Sequence, residues 1–315
     1  MSTVKAEEIR TISVVGVGLM GHGIAQEFAL AGYEVHIHDL SPEKLQQAVQ
    51  NIRSNLHMLT QIGLVLPEQV EPGLGRIHPH LELREAVSGA DVVIEAVFEN
   101  LELKQEIFQQ LDRWAPPHAI LASNTSTLLP SQLAVATRRP DKVLVAHYFN
   151  PPYLLPLVEV VRGKETSQET VTTIYDLLTR IGKKPALVQK EVPGFIGNRL
   201  QVALLREALS IVQQGIAHPQ DVDIVIKNGF GRRLAAAGVF EVFEIAGWDL
   251  ILAVMQYLLS DIESSSEIPP LLQEKVARGE LGVKTGKGFY DWTPESAEKL
   301  RQRIARALAE IARWP

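Results

Sequence analysis

Cysteine is absent from the 315 residues. Disulfides, thiolate metal sites and a thiol nucleophile are thereby excluded, which is in keeping with a reducing cytoplasm. Long apolar runs are lacking too. None approaches the ~20 residues that cross a bilayer, and the N-terminal MSTVKAEEIRTISVV holds no apolar core ahead of a cleavage site. Neither a membrane partner nor a signal peptide is expected. There is no excess of positive charge: 31 Lys and Arg stand against 37 Asp and Glu, a net charge of −6. That argues against nucleic acid as a partner. It leaves an acidic small molecule open, because a pocket can be basic inside an acidic protein. The remainder, 46% hydrophobic and 22% charged, is the balance of a soluble protein. The length supports two domains, each able to bury a core.

Up to about residue 190 the chain alternates short apolar runs with helical stretches. Strands are expected at Ile12–Val15, Val35–His38, Val92–Ala96, Ala119–Ala122, Val143–His147, Leu157–Val161 and Ala186–Val188. Helices are expected at Leu19–Ala31, Pro42–Gln61, Leu103–Trp114 and Gln168–Ile181. This alternation predicts an α/β fold, a mostly parallel, doubly wound Rossmann-type sheet with helices on both faces. Strand signals then fade. Phe195–Gln214, Asp221–Lys227, Val242–Leu259, Leu271–Ala277 and Glu295–Arg313 read as helices, with an exposed connection at Ser260–Pro270. A dinucleotide-binding domain over 1–190 and an all-helical domain over 191–315 are expected. The Phe195–Gln214 run is too apolar for a free surface. It should sit inside the helical domain or at a subunit contact, which makes a homodimer the expected assembly.

The segment Val14–Leu40 carries Gly16-Val17-Gly18-Leu19-Met20-Gly21 between an apolar strand and a helix, and the next strand ends on Asp39. That is the context a G-x-G-x-x-G motif needs to hold a dinucleotide. Gly16 permits the tight turn, Gly18 lets a pyrophosphate approach the backbone, and Gly21 lets helix and strand pack closely. The helix then offers unpaired N–H groups to the phosphates. Asp39 would accept hydrogen bonds from the adenine-ribose hydroxyls and repel a 2′-phosphate. NAD is favoured over NADP, and flavin stays open on this motif alone. His22, His36 and His38 flank the loop, and their spacing reads as structural rather than as a metal set. Glu95, ending an apolar strand, is a candidate support for the cofactor pocket.

Three later stretches carry the chemistry: LASNTSTL at 121–128, VAHYFNPPYLLPLVEVV at 145–161 and VPGFIGNRL at 192–200. The first should be a polar loop at the edge of the sheet where ligands bind. Glu159 lies within an apolar strand, and a carboxylate there needs a partner. His147 is a candidate. A paired imidazole has a fixed tautomer and raised basicity, which suits a general base. The same residues could equally be a satisfied strand-end histidine and an unrelated ion pair.

Taken together, GVGLMGHGIA, SNTSTL, HYFNPPY…PLVEVV, PGFIGNRL and GVKTGKGFY resemble the 3-hydroxyacyl-CoA dehydrogenase family in order and spacing. The resemblance implies His147 as catalytic base, Glu159 as the acid that orients it, and Ser126 and Asn198 as groups that hydrogen-bond the reacting substrate. It implies cofactor contacts at Glu99, Lys104, Asn150 and Lys284, beside Gly16, Gly18, Leu19, Met20, Gly21 and Asp39 of the glycine loop. The activity implied is NAD-dependent oxidation of a short-chain L-3-hydroxyacyl-CoA, a step of fatty-acid metabolism, in a cleft between the domains.

Two departures qualify the substrate. The family's lysine-rich helix after the second strand reads here KLQQAVQNIRSNLHMLTQIG, with Lys44, Arg53 and His57 but no basic cluster to meet CoA phosphates. The GFGRRLAAAGVFEVFEIAGWDL stretch replaces the family's Gly-Pro with Gly238-Val239 and adds Arg232-Arg233, able to clamp a carboxylate or phosphate or to sit solvated. NPPYLLPLVE and NRLQ also resemble dehydrogenases of small polar hydroxy acids, of the L-gulonate or carnitine kind. A free hydroxy acid is therefore the alternative substrate. A dinucleotide-binding protein without turnover is the third reading.

Overall fold

The computed structural model describes residues 3–314. The chain divides between Asn198 and Arg199 into two compact units. The first holds one eight-stranded sheet: β1 Thr11–Val15, β2 Glu34–His38, β3 Ile77–His80, β4 Val92–Glu95, β5 Ile120–Ser123, β6 Val143–Tyr148, β7 Leu157–Arg162 and β8 Lys184–Val188. Its order is β3-β2-β1-β4-β5-β6-β7-β8. Neighbours run parallel except β6 and β7, which are antiparallel. The chain order reverses between β1 and β4, the position where such sheets open a crevice for ligands.

Seven helices connect these strands: α1 Gly21–Leu30, α2 Pro42–Gln61, α3 Pro67–Gly75, α4 Leu83–Val87, α5 Leu101–Trp114, α6 Pro130–Ala134 and α7 Gln168–Arg180. Local chemistry marks their starts. Ser41, Asn100 and Ser167 each accept a backbone N–H three residues on, as N-caps do. The central strands β1, β4, β5, β6 and β7 are buried on both faces. Val15, Val93, Leu121 and Val143 pack with Phe108 and Leu111 of α5, while Ile94, Ala122 and Ala146 meet Phe28 of α1 and Ile174 and Leu177 of α7. Because side chains alternate along a strand, Glu95, Ser123 and His147 share the α5 face at the ends of their strands.

β3 was not legible. Its four residues, Ile-His-Pro-His, hold no apolar run, and proline argues against a strand. Pro79 is tolerated because β3 is an edge strand. There His36, His78 and His80 stack, with ring centroids 4.9–5.0 Å apart and His36 Nδ1 2.8 Å from His80 Nε2.

The second unit follows from α8, Gly197–Gln213, whose first two residues belong to the first unit. It continues with α9 Pro219–Asn228, α10 Phe230–Leu234, α11 Val239–Ala246, α12 Trp248–Leu258, α13 Pro270–Ala277 and α14 Pro294–Ile311. The single helix expected over Val242–Leu259 is two, because Gly247 adopts φ 89° between α11 and α12. The expected burial of α8 within its domain is overturned. Leu200, Val202, Leu204 and Leu205 are 46–62% exposed, and only Leu209 and Ser210 of this helix are buried. Apolar residues also face outward on α11 and α12, including Phe240, Ile245 and Tyr257. No helix among the described residues is long and apolar enough to cross a membrane.

Candidate active site

The glycine loop follows β1. Gly16 takes φ 90°, and a Cβ there would meet Ala96 O at 2.8 Å. A Cβ on Gly21 would fall 1.8 Å from Gly16 O, whereas one on Gly18 would meet nothing within 4 Å. Two glycines thus serve close packing, and the middle one faces open space where a ligand can approach the backbone. Met20 caps α1 without a side-chain hydrogen bond, so the first turn presents its N–H groups to a phosphate. His22 Nδ1 donates to the carbonyl of Gly18 at 2.7 Å, since a carbonyl only accepts. Leu19 is 70% exposed beside this loop.

Asp39 stands just past β2. Its carboxylate accepts Val17 N–H at 3.3 Å and Leu40 N–H at 2.9 Å, and Lys44 Nζ lies 3.6 Å away. Leu40 and Phe98 are 87% and 79% exposed. The residues present therefore fit a dinucleotide: an uncapped helix start, a loop open at Gly18, and an acid held by the loop's own backbone.

His147 and Glu159 occupy directly opposed positions on antiparallel β6 and β7. His147 Nδ1 lies 2.8 Å from Glu159 Oε2, and both side chains are buried. The carboxylate can only accept, so Nδ1 carries the proton and Nε2 remains the acceptor. Glu159 Oε1 takes the N–H groups of Ile196 and Gly197 at 2.9 and 2.8 Å. Burial pushes the Glu159 carboxyl up, but the hydrogen bonds from His147, Gly197 and Ile196 outweigh it and hold it below the usual range. The Val192–Gly197 segment reaches Glu159 through a sharp turn, with Gly194 at φ 74° and Phe195 at φ 51°. This tie keeps the segment on the first compact unit, which runs to Asn198. Phe149 and Phe195 flank the imidazole, with centroids 4.8 and 5.5 Å from it. A Cβ at Gly197 would lie 2.5 Å from Phe149 Cζ, so any side chain here would push the Phe149 ring aside.

The Ser123–Leu128 loop follows β5. Glu99 gathers it: one carboxylate oxygen accepts the Thr125 hydroxyl, Ser126 N–H at 3.1 Å, Thr127 N–H at 3.2 Å and the Thr127 hydroxyl at 2.8 Å. Burial raises the Glu99 carboxyl, and the Thr125 and Thr127 hydroxyls with the Lys104 charge more than reverse it. Asn198 Nδ2 donates to Ser126 O at 3.2 Å, and Asn124 Oδ1 accepts Tyr148 N–H at 2.9 Å. The structure thus joins Ser126 to Glu99 and Asn198, and His147 to Glu159. Asn150 is exposed just beyond β6.

The two lysines expected at the cofactor lie one in each unit. Lys104 is 1% exposed, and its ammonium lies 2.6 Å from Glu95 Oε1 and 3.5 Å from Glu99 Oε2. Lys284 lies exposed in the second unit, in the turn between Gly282 and Lys287. Of the arginine pair, Arg232 donates to Lys227 O and Asn228 Oδ1 of its own unit, and Arg233 is exposed. Sequence reasoning missed Ser123, Thr125 and the two backbone N–H groups that hold Glu159. The two side chains lay within a motif already singled out, and backbone donors leave no residue-type signal.

The model of the 3-hydroxyacyl-CoA dehydrogenase NAD-binding domain matches residues 11–192, and that of the family's C-terminal domain matches 194–292. A 5-formyl-3-hydroxy-2-methylpyridine 4-carboxylate 5-dehydrogenase of Mesorhizobium japonicum is 34% identical over 97% of this chain and 98% of its own. A solved structure of a dehydrogenase of that activity, described as an NAD⁺-dependent dismutase, superposes with a TM-score of 0.91 at 34% identity, covering 97% and 98% of the two chains. A (S)-3-hydroxybutyryl-CoA dehydrogenase from Ralstonia eutropha superposes with a TM-score of 0.76 at 35% identity, covering 90% and 99%. With a dinucleotide loop at the sheet's switch point and both domain models matched in order, this chain belongs to the 3-hydroxyacyl-CoA dehydrogenase family, whose cofactor is NAD.

Proposed function

We propose that the chain oxidises the secondary alcohol of a small, free hydroxy acid, with His147 as the base. The observation that carries this reading is the His147–Glu159 pair at the sheet edge, beside the Ser126 loop. Glu159 holds Nδ1–H, so Nε2 is free to take the hydroxyl proton, and the carboxylate then stabilises the imidazolium. In the reverse direction the imidazolium returns the proton to the carbonyl oxygen. Ser126 and Asn198 hydrogen-bond the reacting oxygen and align it. NAD, when bound, supplies the hydride-accepting ring. Gly16, Gly18, Leu19, Met20 and Gly21 would hold its phosphates and Asp39 its adenine-ribose hydroxyls, with Glu99 and Asn150 as further contacts.

Two observations support the free acid. The pyridine-carboxylate dehydrogenase is the relative that superposes at 0.91, against 0.76 for the hydroxybutyryl-CoA enzyme. Moreover, Lys44 and Arg53 of α2 each already face a carboxylate, Asp39 and Glu71. A second reading, oxidation of a short-chain L-3-hydroxyacyl-CoA to the 3-ketoacyl-CoA, is favoured by the family models over 11–292. Exposed ion pairs contribute only ~0–1 kcal/mol, so a CoA phosphate could recruit either cation. An NADH-depletion screen separates the two. Free keto acids and aldehyde carboxylates should be reduced at least about tenfold more efficiently in kcat/KM than acetoacetyl-CoA, a gap of ~1.4 kcal/mol. The reverse order selects the thioester, and no NADH consumption with any of them removes the dehydrogenase reading.

We also propose that the chain is a homodimer through its second unit. Leu200, Leu204, Phe240 and Tyr257 are each at least 46% exposed, and apolar surface of this kind marks an interface. Sedimentation equilibrium should return twice the 34.8 kDa chain mass. The mass of one chain at micromolar concentration would rule the dimer out.

A further inference from the structure

Hydride transfer needs the base and the dinucleotide held in one fixed relation, yet the elements that carry them are not neighbours. The glycine loop follows β1 and opens α1, while His147 ends β6, three strands away in the sheet. No ladder hydrogen bond joins β1 to β6. What does join α1 to the end of β6 is the turn that leaves β6 directly after His147 and Tyr148. Phe149 at its start has its ring centroid 4.8 Å from the imidazole. Pro152 further along lies on α1: a Cβ on Gly23 would fall 2.6 Å from Pro152 Cγ and 3.3 Å from Tyr153 Cδ1. The turn is closed on itself, because the Leu154 and Leu155 N–H groups both donate to Pro151 O, at 3.1 and 3.0 Å.

One buried cation ties this turn to α1. Lys183, the residue before β8, is 5% exposed. Its ammonium donates to Glu27 Oε2 on α1 and to the carbonyl of Pro152 at 2.6 Å. The next residue holds the far end of the same loop, Lys184 N–H donating to Pro156 O at 2.8 Å. Glu27 stands six residues past Gly21, roughly 9 Å along the helix from the N–H groups of the first turn. The pair is a poor source of stability. Burial pushes the Glu27 carboxyl up, and the Lys183 charge only partly offsets it. What a buried charge pair does provide is direction for the hydrogen bonds around it.

We propose that Lys183 is a positioning residue for hydride transfer: held by Glu27, it clamps the Phe149–Tyr153 turn onto α1 and so fixes His147 relative to the bound dinucleotide. The proposal rests on His147 as the base, as read above. Lys183 acts through the Pro152 carbonyl, and a misplacement of about 1 Å at the reacting groups can cost on the order of 100-fold in rate.

The test is the double variant Glu27→Gln/Lys183→Met beside Glu27→Gln alone and the wild-type chain. The double variant leaves no ion buried and removes the donor to Pro152 O. In the single variant the amide oxygen still accepts from Lys183, and Lys183 still reaches Pro152 O, at the cost of a lone buried charge and a lower Tm. In the double variant the single-turnover rate of hydride transfer from NADH, with the keto substrate selected by the depletion screen, should fall at least about tenfold. That rate constant does not depend on the fraction of chain folded. NADH should bind within about threefold of wild type, and the Leu154 and Leu155 amides should exchange at least about tenfold faster with those of β1 and β4 unchanged. Glu27→Gln alone should transfer hydride within about threefold of wild type. A double variant within twofold of wild type in single turnover overturns the positioning role, and an equal loss in NADH affinity assigns the pair to cofactor binding instead. Faster exchange spread evenly over the sheet overturns the clamp, as does a single variant as slow as the double. If the wild-type chain turns over no hydroxy acid and no thioester, the reading of His147 fails, and the two turn amides still judge the clamp.

Discussion

His147→Asn is expected to lower kcat on the order of 10³-fold, within the range general acid–base catalysis contributes. Asparagine is chosen for its geometry. Its amide NH₂ falls near the position of Nδ1 and can still donate to Glu159, which His147 Nδ1 meets at 2.8 Å. What disappears is Nε2, the acceptor that takes the substrate proton. Glu159 keeps the N–H groups of Ile196 and Gly197, so it is not left as an uncompensated buried charge. The turn at Val192–Gly197 should hold, and NADH should bind within about threefold of wild type, because the glycine loop lies on a different strand. Stopped-flow turnover and NADH fluorescence titration read the two quantities separately. A loss of kcat smaller than tenfold would mean that another group takes the proton. An equal loss in NADH affinity would mean that His147 holds the cofactor rather than the alcohol.

Gly21→Ala is expected to weaken NADH binding about 100-fold and to destabilise the chain by ~1–3 kcal/mol, the cost of forcing atoms into a packed site. The added Cβ would sit 1.8 Å from Gly16 O and 2.9 Å from Gly16 C. Both are backbone atoms, with no flexible side chain to swing aside. The loop must move away from α1, and the N–H groups of the helix start then lose their place around the pyrophosphate. Gly18→Ala is the control, since its Cβ would meet nothing within 4 Å. It should leave the melting temperature of the free chain within about 1 °C, as substitutions away from packed groups usually do, while weakening NADH by crowding the phosphates. Thermal melts with and without NADH make the comparison, because a ligand raises stability by RT ln(1 + [L]/Kd). Should Gly21→Ala melt and bind as wild type does, the close approach of loop and helix is not what organises the site.

Much of the first unit was legible because its signals are local. The β1–α1–β2 unit announces itself through glycines and one acid within a few turns of chain, and the expected strand at Val35–His38 differs from β2 by one residue. The α2 helix was expected at the residues it occupies, Pro42–Gln61, because Ser41 and Pro42 mark its start. β3 and the break at Gly247 were not legible. One is held by edge pairing to β2, and the other depends on a backbone angle that glycine permits without requiring.

The sequence by itself determined the dinucleotide loop, the strand–helix alternation and the suspicion that Glu159 needs a partner, because each depends on residues close in the chain or on the cost of burying a lone carboxylate. Only the tertiary structure decided which partner that is. His147 and Glu159 meet because β7 runs antiparallel to β6 in one particular register. Tertiary structure also decided that the Lys104 ammonium meets Glu95 and Glu99 rather than solvent, through the packing of α5 on the sheet. A shift of one residue in that register would turn Glu159 to the opposite face of the sheet, and no property of the isolated residues records which way it points.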